Sequence, residues 1–115
     1  MEIKVIKDKI SKEELTEIAK HQFGDLVKAV VDIEKEILAI GGEMHADEET
    51  MLIEKEGSKR EYTWGINLYP EKSEEEWIEF DSMINLKPSL GNRTRSVDDP
   101  KTRDAIMTVV HKLIQ

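Results

Sequence analysis

The chain contains no cysteine and little glycine or proline, 6 and 3 of 115 residues. Without cysteine there is no disulfide framework, no thiolate metal site and no cysteine nucleophile. No apolar run approaches the roughly 20 residues that a membrane-spanning helix needs. The opening residues MEIKVIKDKIS lack the apolar stretch of a signal peptide. We therefore expect a cytoplasmic protein.

Positive charge is also scarce relative to negative charge, with 17 basic and 25 acidic residues and a net charge of −8. This acidic balance argues against non-specific nucleic-acid binding and against binding to anionic membranes, both of which need a basic surface. Glutamate and lysine supply most of the charge. That composition favours a thermophilic source, in which surface ion pairs contribute to stability at high temperature.

A chain of this length predicts one domain, over residues 1–115. Alternating apolar residues predict strands at 2–6, 64–69 and 78–86, the last two joined as an antiparallel hairpin. Helical spacing predicts helices at 12–22, 47–55 and 100–114. Their N-cap candidates are Ser11, Asp47 and the pair Asp98-Asp99.

Residues 26–40 fit two different structures. Their apolar positions match the stripe of one long helix, but they also match two strands. The β-branched residues Val27, Val30, Val31 and Ile33 favour the strands, at 27–33 and 36–40. The resulting prediction is an α+β fold of order β-α-β-β-α-β-β-α. A mostly antiparallel sheet of four to five strands packs one face on helices 12–22 and 100–114, and its other face is polar.

The basic segment 87–96 is a candidate anion site. Its Gly91-Asn92 pair permits left-handed backbone, so that successive N–H groups can converge on an anion. Arg93 and Arg95 can add forked contacts to phosphate or carboxylate. The alternative is a basic loop that pairs with the acidic middle of the chain.

The segment His45-Ala46-Asp47-Glu48-Glu49 is a second candidate. On an extended backbone His45 and Asp47 point the same way. With Glu48 or Glu49 as a third ligand they could hold a divalent metal, or Asp47 could orient His45 as a general base. The alternative is an acidic helix start with an incidental histidine. No cofactor is expected.

The predicted polar sheet face carries Asn67, Asp81 and Asn85, and Trp64 lies on the opposite, apolar face. These polar residues are solvated unless a partner subunit or the 87–96 loop covers them. In the covered case they form a recognition surface, which would fit an interaction module, for example a homodimer.

Four stretches resemble a family of small bacterial and archaeal proteins of unknown function: GGEMHADEE (41–49), EGSKREYTWGINLYPE (56–71), IEFDSMINLKPSLGNR (78–93) and TRSVDDPKTRDAI (94–106). The resemblance implies a prokaryotic cytosolic origin and one shared domain, and it transfers no catalytic residue. The chain has Lys87 where the resemblance leads us to expect arginine before the proline. Lysine keeps the charge but lacks the planar fork.

Three functions follow from these patterns. The first is binding of a small anionic ligand by Asn92, Arg93 and Arg95, with Asn85 and His45 nearby. The second is a protein–protein interaction module, and the third is a metal-assisted hydrolase using His45, Asp47 and Glu49. The first requires segments 41–49 and 87–96 to meet in a cleft of mixed sign.

Overall fold

The computed structural model describes residues 2–115, and within them three helices and five strands follow the predicted order. The helices are α1 (Lys12–His21), α2 (His45–Glu56) and α3 (Pro100–Leu113). The strands are β1 (Lys4–Ile6), β2 (Val27–Asp32), β3 (Ile37–Ile40), β4 (Thr63–Leu68) and β5 (Ile78–Glu79). The α+β prediction is confirmed. None of these helices is both long enough and apolar enough to span a membrane.

The strands form one antiparallel sheet of order β1-β3-β2-β4-β5. The prediction of two strands in residues 26–40 is confirmed, because β2 and β3 pair as a hairpin. Asp32 builds its turn: one carboxylate oxygen accepts from the backbone N–H of Glu34 and of Lys35 at 2.8 and 3.0 Å. Glu36 completes the turn with a φ of 56°. The charged break in the sequence is therefore the hairpin turn.

Helices α1 and α3 cover one face of the sheet and form the main core with it. Both helices begin as their sequences predict. Ser11 accepts a hydrogen bond from the N–H of Glu14 at 3.0 Å, and Asp99 caps α3 by accepting from the N–H of Lys101. Trp64 is 5 % exposed within this core, as its place on the apolar face of β4 predicts.

The other face of the sheet is covered by α2, so the prediction that only one face packs against helices is wrong. Leu52 of α2 is fully buried against Val30 and Ala39. The sheet residues on this side are small or apolar at the points of contact, and Gly65 of β4 leaves further room. Helix α2, whose buried side has only Leu52 as an apolar residue, can therefore pack against the sheet face that the sequence predicted to be polar.

The predicted strand at 78–86 is also wrong beyond its first two residues. After β5 the chain forms short 3-10 turns at Met83–Asn85 and Pro88–Leu90. Ser82 starts the first turn, since its hydroxyl accepts from the N–H of Ile84 at 3.3 Å. The alternation accordingly breaks down, with Asn85 fully buried and Leu86 39 % exposed.

Candidate functional site

An open cleft of about 630 Å³ lies where the 3-10 turn before β4 (Arg60–Tyr62), the N-terminal half of α2 and the two 3-10 turns after β5 meet. This volume is within the range of ordinary small-molecule sites. The cleft combines ionisable and apolar side chains, and ten residues line it: Glu49, Arg60, Glu61, Met83, Ile84, Leu86, Lys87, Pro88, Ser89 and Leu90. It brings a residue of segment 41–49 together with residues 87–90.

Lys87 is the most constrained cation of the cleft. Its ammonium donates to the carbonyl of Ile84 at 3.0 Å and lies 4.9 Å from the centre of the Trp64 ring. One carbonyl uses one of its three N–H donors, so others remain for a ligand. Burial lowers the pKa of Lys87, the charge of Glu49 opposes that shift, and the charge of Arg60 adds to it. The two cations therefore interact unfavourably across this part of the cleft.

The acidic residues of the cleft differ in their setting. Glu49 is 8 % exposed, and its Oε2 accepts from the hydroxyl of Thr63 at 2.7 Å. Glu61 is exposed at the rim. Among the ion pairs within 4 Å that residues 2–115 form, none includes a charged residue of this cleft. The cleft thus contains basic and acidic side chains that do not pair with one another.

The walls of the cleft are apolar. Met83, Leu86 and Leu90 are 62, 39 and 52 % exposed, and they are three of the five large apolar side chains exposed in the described part of the chain. Clustered apolar exposure of this kind marks ligand or partner contacts more often than single exposed residues do.

Asn85 holds the segment that forms the cleft. It is fully buried, and its side-chain amide pairs with the backbone of Gly65: Oδ1 accepts from the N–H at 2.8 Å and Nδ2 donates to the carbonyl at 2.9 Å. Nδ2 also donates to the carbonyl of Arg95 at 2.9 Å. The side chain predicted to bind a ligand is therefore used to attach residues 82–95 to β4.

Asn92, which follows the turn Pro88–Leu90, also uses its side chain to hold backbone groups in place. Gly91, with a φ of 83°, ends the turn Pro88–Leu90 in the left-handed region, so that Asn92 pairs with the backbone of Lys87. Its Nδ2 donates to the carbonyls of Asn85 and Ser96, each at 2.7 Å, and its Oδ1 accepts from the N–H of Asp98. These contacts fix the loop that was predicted to hold an anion.

The remaining predicted ligand residues lie outside the cleft. Arg95 donates from Nε to Asp81 at 2.7 Å, a partner just beyond the acidic stretch 34–79. Arg93 is exposed and does not line the cleft. His45 is 9 % exposed, and its Nε2 donates to the carbonyl of Ile66 at 2.8 Å. Burial lowers the pKa of His45, and the hydrogen bond to Ile66 opposes that shift.

The residues predicted as metal ligands do not converge. Helix α2 begins at His45 after Met44 as N-cap, so the expected extended backbone with Asp47 as N-cap is wrong. Residues two apart on a helix point in different directions, and Asp47 is exposed while His45 and Glu49 are buried. Residues 2–115 contain no cluster of three or more histidine, cysteine or acidic side chains placed to hold a metal.

Sequence reasoning considered Glu48 as a possible metal ligand but missed that it is buried. It is fully buried, and its Oε2 accepts from the N–H of Gly42 at 2.9 Å, while Oε1 has no hydrogen-bond partner among residues 2–115. Burial raises the pKa of Glu48 well above its ordinary value. A signal was present, because His45, Glu48, Glu49 and Leu52 share one face of a helix. Met83 and Leu86 were missed as cleft walls because a strand was predicted at 78–86. Arg60 was not singled out, whereas Lys87 lies in the predicted basic segment 87–96.

Fold and site together define an α+β protein in which helices cover both faces of an antiparallel sheet and a cleft of mixed charge opens at one end of β4. The chain belongs to the family described as protein of unknown function (DUF5674), whose model matches residues 4–113. Neither the curated proteins nor the solved structures gave a match.

Proposed function

We propose that the protein binds a small organic anion, with a carboxylate and an apolar part, in the cleft beside Lys87. One observation carries the proposal: Lys87 and Arg60 line a cavity of ligand size, and neither has an ion-pair partner within 4 Å in the described part of the chain. An anion between them would offset the unfavourable effect of Arg60 on the Lys87 ammonium. The apolar walls would receive the rest of the molecule.

A carboxylate fits this cleft better than a phosphate does. Glu49 and Glu61 line the same cavity, and a doubly charged phosphate would meet them with stronger repulsion than a singly charged carboxylate. The positive charge of the cleft also comes only from the side chains of Lys87 and Arg60, and not from the N–H groups of a helix N-terminus, where phosphates commonly bind. The N-terminus of α3, the kind of position where phosphates bind, is already capped by the carboxylate of Asp99.

Calorimetric titration with 4-methylpentanoate, and separately with inorganic phosphate, tests the proposal. We expect saturable binding of 4-methylpentanoate and weaker binding of phosphate. Lys87→Met and Arg60→Met should each weaken binding about tenfold or more, because each removes a charge-assisted contact. Arg60 makes no side-chain hydrogen bond within residues 2–115, so its variant keeps the fold even if Lys87→Met does not.

Arg93→Met is the matched control, since it removes an exposed cation outside the cleft. It should leave the affinity unchanged. Absence of saturable binding of 4-methylpentanoate, or equal affinity in the wild type and both cleft variants, would refute the proposal.

A second candidate function is protein–protein interaction through the same end of the molecule. The exposure of Met83, Leu86 and Leu90 favours it. The polar sheet face that the sequence suggested as a dimer surface is covered by α2, so this apolar wall takes its place. Sedimentation at micromolar concentration tests self-association. A 13.3 kDa species at all concentrations excludes a stable homodimer, and Leu90→Ser should weaken any dimer that forms.

A further inference from the structure

We infer that the ligand of this cleft is a zwitterion, an apolar α-amino acid, whose ammonium group meets Glu49 while its carboxylate meets Lys87. The inference rests on the proposed function and adds a positive charge, the ammonium group, to the proposed carboxylate ligand. It depends on Glu49, which the proposed binding of an anion leaves unexplained, because an anion site gains nothing from a buried carboxylate on its wall.

Glu49 differs from an ordinary surface acid. It is almost fully buried on the sheet side of α2, where a charged group needs compensation. Thr63 supplies one hydrogen bond, to Oε2, and no other hydrogen bond to the carboxylate is formed within residues 2–115. Oε1 therefore remains as an acceptor for a donor that the chain itself does not provide. An ammonium is the donor that also supplies the opposite charge.

Glu49 and Lys87 line the same cleft but form no ion pair with each other. Each contributes to the lining of the cleft, and the charge of Glu49 raises the pKa of Lys87. Yet their charged atoms are not within 4 Å of each other. A ligand that carries both signs can lie between them and neutralise each side.

The total charge of the cleft leads to the same ligand class. Two basic residues, Arg60 and Lys87, and two acidic residues, Glu49 and Glu61, line it, so their formal charges sum to zero. A ligand with one negative charge leaves an acidic residue without compensation, whereas a zwitterion keeps the cleft neutral. The apolar side chains of Met83, Leu86 and Leu90 then provide the contact for an apolar side chain rather than for a polar one.

Three probes that differ by single groups test the inference in calorimetric titrations. L-leucine carries both charges, 4-methylpentanoate is leucine without its amino group, and 3-methylbutylamine is leucine without its carboxylate. We expect L-leucine to bind about tenfold or more tightly than 4-methylpentanoate, the gain typical of one charge-assisted contact. The amine should bind more weakly than L-leucine.

Glu49→Gln should abolish the preference for L-leucine and leave binding of 4-methylpentanoate intact or stronger. The glutamine oxygen can still accept from Thr63, so the fold is kept. Glu54→Gln, an exposed position of the same helix outside the cleft, is the matched control and should preserve the preference.

The outcomes separate the two proposals. Equal or tighter binding of 4-methylpentanoate than of L-leucine overturns the zwitterion and leaves the carboxylate site standing. A preference for L-leucine that persists in Glu49→Gln overturns the role of Glu49. Absence of saturable binding of 4-methylpentanoate, or binding of the amine as tightly as L-leucine, overturns the proposed function itself.

Discussion

Replacing Asn85 with alanine removes the contact that attaches the cleft segment to the sheet. The variant leaves the N–H and the carbonyl of Gly65 without the partners that Asn85 supplies at 2.8 and 2.9 Å. The carbonyl of Arg95 also loses a bond but still accepts from the N–H of Ser82 at 3.0 Å. Two backbone groups thus lose their partners in a region where the side chain itself is fully buried.

An unsatisfied buried group costs about 1–3 kcal/mol, so the two groups together lower the free energy of unfolding by roughly 2–6 kcal/mol. This is a large fraction of the about 5–15 kcal/mol that domains usually have. With a slope of about 1–3 kcal/mol per molar urea, a loss of about 4 kcal/mol lowers the midpoint of unfolding by more than about 1 M.

Urea unfolding followed by tryptophan fluorescence measures this loss, since Trp64 and Trp77 are both buried. Met83→Ala, at a 62 % exposed position of the same turn, is the control and should change stability by less than about 0.5 kcal/mol. If Asn85→Ala costs less than about 1 kcal/mol, the amide does not hold the segment and the reasoning fails.

Three further predictions concern neighbouring groups. Gly65→Ala places a methyl group 2.5 Å from Ser82 and should lower stability by about 1–3 kcal/mol in the same urea assay, and a neutral effect would contradict this packing. The raised pKa of Glu48 means that its protonated form is favoured in the fold, so stability should fall as the pH rises from its ordinary pKa through the raised one. Glu48→Gln, whose side-chain oxygen can still accept from the N–H of Gly42, should weaken that fall. Identical pH profiles of stability in the wild type and the variant would exclude Glu48 as the cause. The lowered pKa of His45 predicts that its contribution to stability is lost as the pH falls below 6.5, and an NMR titration midpoint at or above 6.5 would disprove the shift.

The elements with strong local signals were predictable from the sequence. Ser11 and Asp99 cap α1 and α3 with side-chain hydrogen bonds that their residue types favour. The β-branched residues of 27–33 correctly indicated strand, because their side chains pack well on a pleated surface. In these segments local preference and tertiary packing agree.

The segment after β5 was not predictable by periodicity. Alternation of apolar residues continues to Leu86, yet Asn85 is buried and Leu86 is exposed, since an amide satisfies two backbone groups of β4 that no apolar side chain can satisfy. A long-range hydrogen bond across 20 residues leaves no pattern in the local sequence. For the same reason asparagines that resembled ligand-binding residues are structural.

The face of α2 shows a different limit. Glu48 and Glu49 at the start of a helix usually indicate solvated acids that favour the positive end of the helix dipole. Both are buried here, because Gly42 after β3 offers its N–H to Glu48 and Thr63 of β4 offers its hydroxyl to Glu49. The sequence contains the spacing of the buried face but not the partners that make its burial possible.

The pairing of Asn85 with Gly65 also determines what the outer edge of the sheet offers to other chains. β5 pairs with only two residues of β4, at Asn67 and Leu68, so the edge would otherwise be open at Gly65. Open strand edges are templates on which a second molecule adds a strand and aggregation begins. A side-chain amide occupies the donor and acceptor there, and unlike a strand it creates no new edge beyond itself.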